Sequence, residues 1–335
     1  MSKERKINHC LDALKGIACI GVVFVHALFP GVLGSMVLVV GTAFVPLFFL
    51  IVGFYSYRVE SQEVARRGWK KIKYMTCMTF GALSLYVVWM FVKIALGVKD
   101  IQNIIAVFNV KNLIKFVTLN DTTMFDGGHL WFLCALLYCY FFLFLFSKVD
   151  KVKWLYFLLP VAFVLRVLAT KIGNWHYTQN FWVDGFPYFF LGYCLNQNAE
   201  IWQKMDKKIL ISLSMFGIAF SEIGLFGGPF IYGINIYEIG TIVFAIAVFM
   251  FALKLPDFGK GSKLETLGRK YSLFVYIGHF IILEFVRIIE GKLGGVSFVI
   301  YDWLKPILIV ILTVILAVLY EKMKKKFDRR KYANC

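Results

Sequence analysis

Charged residues are scarce in this chain: they make up 17% of its 335 residues, whereas 60% are hydrophobic. A soluble protein of this length cannot cover so much apolar surface. The apolar residues also form continuous runs near the length that crosses a bilayer, unlike the short alternating strands of a membrane barrel. Since lipid admits only helices and closed barrels as spanning structures, the sequence predicts an all-α, polytopic integral membrane protein that contacts the lipid bilayer.

Other features are missing as well, and each absence narrows the range of functions. The seven cysteines form no CxxC pair and most lie in apolar runs, so we expect neither disulfides nor a bound metal. The net charge of +17 has no basic soluble domain to carry it, so nucleic-acid binding is not expected. The first apolar segment lacks a small-residue cleavage site, and we expect no cleaved signal peptide. No repeat is visible, which predicts one transmembrane domain over residues 1–335.

The long apolar runs predict ten membrane-spanning helices. They cover residues 10–29, 35–57, 74–96, 130–147, 154–170, 180–196, 209–226, 230–253, 271–289 and 298–320. With ten spans, Lys and Arg number 27 in the segments on the side of the termini and 5 on the other side. The positive-inside rule therefore predicts that both termini are cytoplasmic. The long outer loop, residues 97–129, is mixed enough in composition to include an interfacial helix.

The first apolar segment, LDALKGIACIGVVFVHALFP (residues 11–30), keeps Asp12, Lys15 and His26 although charge is costly inside a bilayer. The eleven residues from Lys15 to His26 make three helical turns plus about 20°, so both side chains lie on one face, roughly 16 Å apart along the axis. Asp12 shares that face. Singly, Lys15 could reach the interface beside Asp12, and His26 could be an interfacial histidine. Together they favour a polar cavity or partner.

Three polar residues on the ninth predicted span, Ser272, Tyr276 and His279, follow at spacings of four and three and share one face. Such a stripe either lines a polar site or bonds a neighbouring helix. His129 and Trp131 begin the fourth span at its outer end, where Trp131 alone would be ordinary in an aromatic belt.

Basic residues crowd the predicted cytoplasmic loop 58–73. They fit the positive-inside rule and also a surface for an anionic ligand; four of them are Arg66, Arg67, Lys70 and Lys71. Asp184, Glu222 and Glu238 lie near predicted outer span ends, where carboxylates could hold sugar hydroxyls. The sequence assigns no role to Arg166, Lys93 and Lys305, which lie within predicted spans.

Five segments resemble the acyltransferase family 3 membrane proteins, in the family's order from about residue 10 to residue 290. CLDALKGIACIGVVFVHALFPG is similar to the family's first span, in which a basic residue, usually Arg, precedes a catalytic His by ten intervening residues; here these are Lys15 and His26. The others are AFVPLFFLIVGFYSY, GHLWFLCALLYCY (128–140), FPYFFLGYCL (186–195) and SLFVYIGH (272–279). Val52 replaces the usual Ser of the second segment, and the family's Arg-rich RxxR…P segment is incomplete.

The resemblance implies a membrane-bound O-acetyltransferase of the bacterial inner (plasma) membrane. Such an enzyme moves an acetyl group from cytoplasmic acetyl-CoA to a hydroxyl of an envelope or exported glycan or a lipid-linked sugar. It implies that His26 is either a general base or an acyl-accepting nucleophile, with His279 as a second catalytic residue. Substrate binding is expected at Asp12, Lys15, Ser272, Tyr276, His129 and Trp131, and donor binding at Arg66, Arg67, Lys70 and Lys71.

Two other classes of function remain open at this point. A transporter or flippase of a glycan or small polar substrate would also use charged residues inside the membrane. The chain shows no internal inverted symmetry of the kind that many transporters have, which argues against this class. A non-catalytic sensor would lose nothing if His26 were replaced.

Overall fold

The computed structural model of the chain describes residues 7–149, 152–173, 175–228, 230–231, 234–294 and 298–333. Its α-helices, in chain order, are α1 (His9–His26), α2 (Gly31–Thr42), α3 (Phe44–Ser56), α4 (Ser61–Ala95), α5 (Ile101–Val107), α6 (Val110–Leu119), α7 (Trp131–Lys148), α8 (Leu155–Ala169), α9 (Trp175–Thr178), α10 (Phe186–Gln197), α11 (Ala199–Trp202), α12 (Lys207–Gly227), α13 (Ile236–Leu253), α14 (Lys263–Thr266), α15 (Ser272–Lys292) and α16 (Val299–Ala333).

Shorter structures connect these helices. Two π-helical turns are Phe181–Gly185 and Leu267–Tyr271, and four 3₁₀ turns are Thr123–Phe125, Gly128–Leu130, Val152–Trp154 and Thr170–Ile172. A two-residue antiparallel hairpin pairs β1 (Phe230–Ile231) with β2 (Ile234–Asn235). The predicted all-α class is confirmed.

Nine helices in the described part of the chain are long and apolar enough to cross a membrane, which confirms a polytopic membrane protein. They correspond to every predicted span except 180–196. That segment is the π-helical turn Phe181–Gly185 continued by α10. Its 17 residues rise roughly 25 Å, somewhat less than the hydrocarbon core of about 30 Å.

Two boundaries predicted from the sequence were wrong. The span predicted at 230–253 begins at Ile236, because the Asn235 side chain caps α13 by accepting a hydrogen bond from the Glu238 amide at 3.1 Å, and the residues before it form the hairpin. Most of the predicted loop 58–73 is helical, because α4 starts at Ser61 and continues for 35 residues, roughly 52 Å. The span predicted at 35–57 corresponds to one stretch able to cross a membrane, Gly31–Ser56, which α2 and α3 form with a turn at Ala43.

The chain forms two compact units. The first unit contains residues up to Phe44 and from Leu255 onward, and the second unit is Val45–Lys254. In the first unit α1 approaches α14 and the turn Leu267–Tyr271 at two glycines. A Cβ at Gly16 would lie 2.2 Å from the Leu264 carbonyl oxygen, and a Cβ at Gly268 would lie 1.9 Å from the Asp12 carbonyl oxygen. Small residues at such contacts let membrane helices pack backbone to backbone. The prediction of one domain over 1–335 stays a prediction.

In the second unit, three of the motif segments pack against one another. Gly53 of α3 and Gly192 of α10 face the other helix: a Cβ at Gly53 would lie 1.8 Å, and one at Gly192 2.1 Å, from a backbone oxygen. The Phe132 ring of α7 packs on the Phe49 ring of α3 with centroids 4.6 Å apart. The glycines of these motifs therefore have a packing role.

The long predicted outer loop contains an amphipathic helix, as expected from its composition. The apolar side chains of α6 are exposed, namely Val110, Leu113, Ile114 and Val117. The helix is fastened at its C-terminal end, because the Tyr138 hydroxyl donates to the Val117 carbonyl at 2.8 Å and the Trp182 indole donates to the Thr118 carbonyl at 2.9 Å. An exposed apolar face on a short helix suits the membrane–water interface.

Candidate active site

The first helix carries the three ionisable residues of the opening segment. The helix begins at His9 because the Asn8 side chain accepts a hydrogen bond from the Leu11 amide at 2.9 Å. Within it, Lys15 Nζ lies 2.6 Å from Asp12 Oδ1, and the two side chains are only 20% and 10% exposed. The pairing of Asp12 with Lys15 expected from their spacing is therefore present, and it leaves Lys15 on the face that also carries His26.

The two histidines singled out from the sequence meet in the first unit. The His26 ring, at the end of α1, and the His279 ring, on α15, have centroids 5.2 Å apart with an angle of 36° between their planes. His279 is completely buried and His26 is partly buried. The Phe280 ring packs edge-on against His26, with centroids 5.7 Å apart. An apolar side chain thus encloses one flank of the histidine pair.

Hydrogen bonding assigns the protonated nitrogen of His279. Its Nδ1 lies 2.7 Å from the Tyr276 carbonyl oxygen and 3.2 Å from that of Val275. A carbonyl oxygen only accepts, so Nδ1 is the N–H donor. In the neutral ring the other nitrogen, Nε2, then carries the lone pair and is the atom that can accept a proton.

The rest of the ninth-span stripe divides between two kinds of contact. The Tyr276 ring lies 6.1 Å from the His279 ring, centroid to centroid, and is buried. The Ser272 hydroxyl donates to the Gly268 carbonyl at 2.9 Å, one helical turn back. The Ser272 carbonyl accepts from the Cys19 thiol of α1 at 3.6 Å. Tyr276 therefore belongs beside the histidines, whereas Ser272 bonds within its helix and to α1.

His129 and Trp131 lie in the interior of the second unit. Both are buried, at 6% and 4% exposure. His129 Nε2 lies 3.2 Å from the Tyr86 hydroxyl on α4, and the Trp131 ring lies 6.1 Å from the Phe49 ring. Trp131 thus packs against an aromatic core residue.

The four basic residues expected in a loop lie on the first turns of α4. All are exposed, and each arginine lies four residues before a lysine, so they form one basic patch, defined here as Arg66, Arg67, Lys70 and Lys71. Arg67 also pairs with Glu63, with 2.7 Å between Nη2 and Oε1.

One buried charge cluster in the second unit was missed at the level of sequence. Arg166 of α8 contacts Asp184 of the π-helical turn and Glu238 of α13, both at 2.5 Å between nitrogen and oxygen. Its guanidinium also lies over the Tyr188 ring, 5.1 Å from the centroid. The sequence indicated this cluster only by three ionisable residues within or near predicted spans. Their spacing along the chain does not show that the side chains meet.

The fold and the histidine pair together define a polytopic helical membrane protein with two imidazoles packed side by side among its helices, groups suited to moving a proton during acyl transfer. A family model described as "Acyltransferase domain" matches residues 8–322, nearly the whole chain. The chain belongs to this acyltransferase 3 family and is a membrane acyltransferase, so the resemblance seen in the sequence is confirmed. Comparisons with curated proteins and with solved structures give no match.

Proposed function

We propose that this acyltransferase is an O-acetyltransferase that moves an acetyl group from acetyl-CoA to a hydroxyl of an envelope or exported glycan. The observation that carries the proposal is the packing of His26 against His279, whose Nδ1 lies 2.7 Å from the Tyr276 carbonyl oxygen. Transfer to a hydroxyl requires a group that accepts the hydroxyl proton, and a neutral imidazole does this near pH 7.

In the proposed reaction the acceptor oxygen attacks the thioester carbonyl carbon while its proton moves to His26. The new C–O bond forms, the C–S bond breaks, and the CoA thiolate takes the proton from the imidazolium. We assign the base to His26 because it stands at the end of α1 and is partly exposed, whereas His279 is completely buried. His279 then positions the His26 ring, and the Tyr276 hydroxyl is the candidate donor to the tetrahedral oxyanion.

The donor would lie along α1. CoA carries its phosphates at one end and the thioester at the other, and Lys15 lies roughly 16 Å from His26 along the same helix face. We propose that Lys15, held by Asp12, binds a phosphate while the thioester reaches His26. Cytoplasmic termini, with the basic patch on the same side, would present these cations to the compartment that holds acetyl-CoA.

The test is transfer of radiolabelled acetyl from acetyl-CoA to envelope glycan in bacterial membranes. His26→Ala should lower the rate about 10²–10⁴-fold, the usual effect of losing a positioned base, and His279→Ala should lower it less. His176→Ala, a histidine of the second unit, is the matched control. Wild-type rates for His26→Ala at equal expression would overturn the assignment, and glycan translocation without acetylation would favour a flippase.

Two further measurements separate the roles within the site. Purified protein is mixed with labelled acetyl-CoA in the absence of acceptor and then quenched. Direct transfer predicts that the protein carries no label. Label that is present on the wild-type protein and absent from His26→Ala would make His26 an acyl carrier. Lys15→Ala should weaken acetyl-CoA binding about tenfold or more, and Lys15→Arg should retain it because the charge is kept. Equal binding by Lys15→Ala would remove Lys15 from the donor site.

A further inference from the structure

Two lysines converge on one carboxylate at the C-terminal end of α4, in the second unit. Lys99 Nζ lies 2.6 Å from each oxygen of Asp126. Lys93 Nζ lies 2.9 Å from Asp126 Oδ2. The Lys93 side chain is 9% exposed, whereas those of Asp126 and Lys99 are 17% and 20% exposed. Solvent therefore reaches one side of this lysine cluster, defined here as Lys93, Lys99 and Asp126.

The backbone at Asp126 has an uncommon conformation and is hydrogen-bonded. Its φ is +57°, in the left-handed region that residues other than glycine seldom occupy. Its amide donates to the Thr123 carbonyl at 2.9 Å, and the Thr122 hydroxyl donates to the Gly127 carbonyl at 2.7 Å. Conformations of this kind persist where the surrounding structure fixes them, often at functional sites. The carboxylate is thus presented to the lysines at a defined position.

The lysine cluster brings two ammonium groups to one carboxylate. Burial would raise the pKa of Asp126, but hydrogen bonds from Lys99 and Lys93 and their charges outweigh it and lower that pKa, so the carboxylate stays ionised. One lysine would suffice for a structural ion pair, and the second, largely buried ammonium adds a desolvation cost. Asp100, beside Lys99, is exposed, and its carboxylate accepts from the Gln102 amide at 2.9 Å to cap α5. The partly exposed Lys99 ammonium can donate to an anionic ligand as well as to Asp126.

A buried polar pair lies further along α4. Tyr86 is seven residues before Lys93, so it lies on the same helix face about 10 Å away. Its hydroxyl contacts His129, three residues after Asp126, at 3.2 Å. Tyr86 is completely buried and His129 is 6% exposed, so this pair supports the Asp126 segment from inside. The partly exposed lysine cluster is the part that a ligand can reach, and it lies near the end of the helix predicted to face outside, where basic residues are few.

We propose that Lys93 and Lys99, with Asp126 as their internal counterion, bind the carboxylate or phosphate of an acidic glycan acceptor. The inference rests on the proposed function, because it names the class of acceptor that the acetyltransferase uses. A lysine ammonium binds either anion as a point charge, so the two sources are distinguished by experiment.

The experiment measures binding calorimetrically with the purified full chain in detergent. The probes are trigalacturonate, glucose 6-phosphate and the neutral trisaccharide maltotriose. Trigalacturonate or glucose 6-phosphate should bind and maltotriose should not, and added salt should weaken binding. Lys99→Gln should weaken binding tenfold or more, the usual effect of losing a charged hydrogen bond. Lys111→Gln, an exposed lysine of the same predicted loop, should bind as wild type does.

Asp126→Asn separates a ligand site from a structural tether. A ligand site keeps both ammonium groups and loses their internal competitor, so anion binding should be retained or tightened. A tether predicts no anion binding in any variant, or loss in Asp126→Asn as large as in Lys99→Gln, and either result overturns the proposal. Thermal unfolding of each variant confirms that it is folded, and Lys99, being partly exposed, is the safer substitution.

Failure of the inference differs from failure of the proposed function. If the membranes acetylate a glycan but probe binding is independent of Lys99, the acidic-acceptor inference is wrong and the acetyltransferase stands. If probe binding depends on Lys99 but no acetyl is transferred to any acceptor, the anion site stands and the proposed reaction is wrong.

Discussion

Replacing Gly268 with alanine tests how tightly α1 is held against the turn Leu267–Tyr271. The added Cβ would lie 1.9 Å from the Asp12 carbonyl oxygen and 2.6 Å from the Gly16 amide nitrogen, and real Cβ contacts are not shorter than 3.0 Å. Because both contacts are with backbone, the two segments must separate by about 1 Å. Overpacking of this kind costs about 1–3 kcal/mol, and the better helix propensity of alanine offsets up to about 1 kcal/mol. We expect a net destabilisation of about 1–2 kcal/mol.

The same displacement should lower activity, since α1 carries Asp12, Lys15 and His26. A misplacement of about 1 Å between reacting groups can cost about 10²-fold in rate. The matched control is Gly291→Ala on α15, where an added Cβ meets no atom within 4 Å. That variant should be as stable as wild type or slightly more stable, with unchanged activity.

Unfolding can be followed through the reaction of buried thiols with a fluorogenic maleimide during heating in detergent. Cys10 and Cys19 on α1 are buried and report its release, whereas exposed Cys77 reacts at the start and sets the baseline. Gly268→Ala should unfold several degrees below Gly291→Ala. If the two variants melt together and acetylate at the same rate, the close contact between α1 and this turn does not hold the catalytic helix.

Three other predictions follow from the charges and the orientation. Arg166→Met should lower the free energy of unfolding by about 3–5 kcal/mol, because Asp184 and Glu238 stay buried without their cation. Lys171→Met, at an exposed position, should lower it little. Equal melting temperatures for the two variants would contradict this prediction. The lysine partners lower the pKa of Asp126, so the ionised carboxylate stabilises the fold above its unfolded pKa of about 3.9, and this stabilisation is lost as pH falls through the lower folded pKa. Asp126→Asn should therefore lose less stability than wild type between about pH 5 and about pH 3. Parallel stability curves for the two proteins would refute the reasoning. In a Cys77→Ser background, an impermeant thiol reagent outside the cell should label the variant Lys111→Cys but not the variant Lys71→Cys, both at exposed positions. The reverse labelling pattern would show that the predicted orientation is inverted.

Composition and local pattern were enough to predict the class of fold and the family. Long apolar runs must be helical in a bilayer, so nine of the ten predicted spans appear as helices that can cross a membrane. Helical periodicity also placed Asp12, Lys15 and His26 on one face, because positions within a single helix follow from its 3.6-residue turn. Boundaries were less accurate where a cap, such as Asn235, or a helix longer than the membrane, such as α4, sets the end.

Contacts between helices could not be read from the sequence. The meeting of His26 with His279, of Arg166 with Asp184 and Glu238, and of Lys93 and Lys99 with Asp126 each joins segments distant in the chain. Periodicity states which residues share a face, but not which other helix that face meets. That choice depends on where backbones can approach closely, as at Gly16 and Gly268, and such complementarity exists only once the helices are packed together.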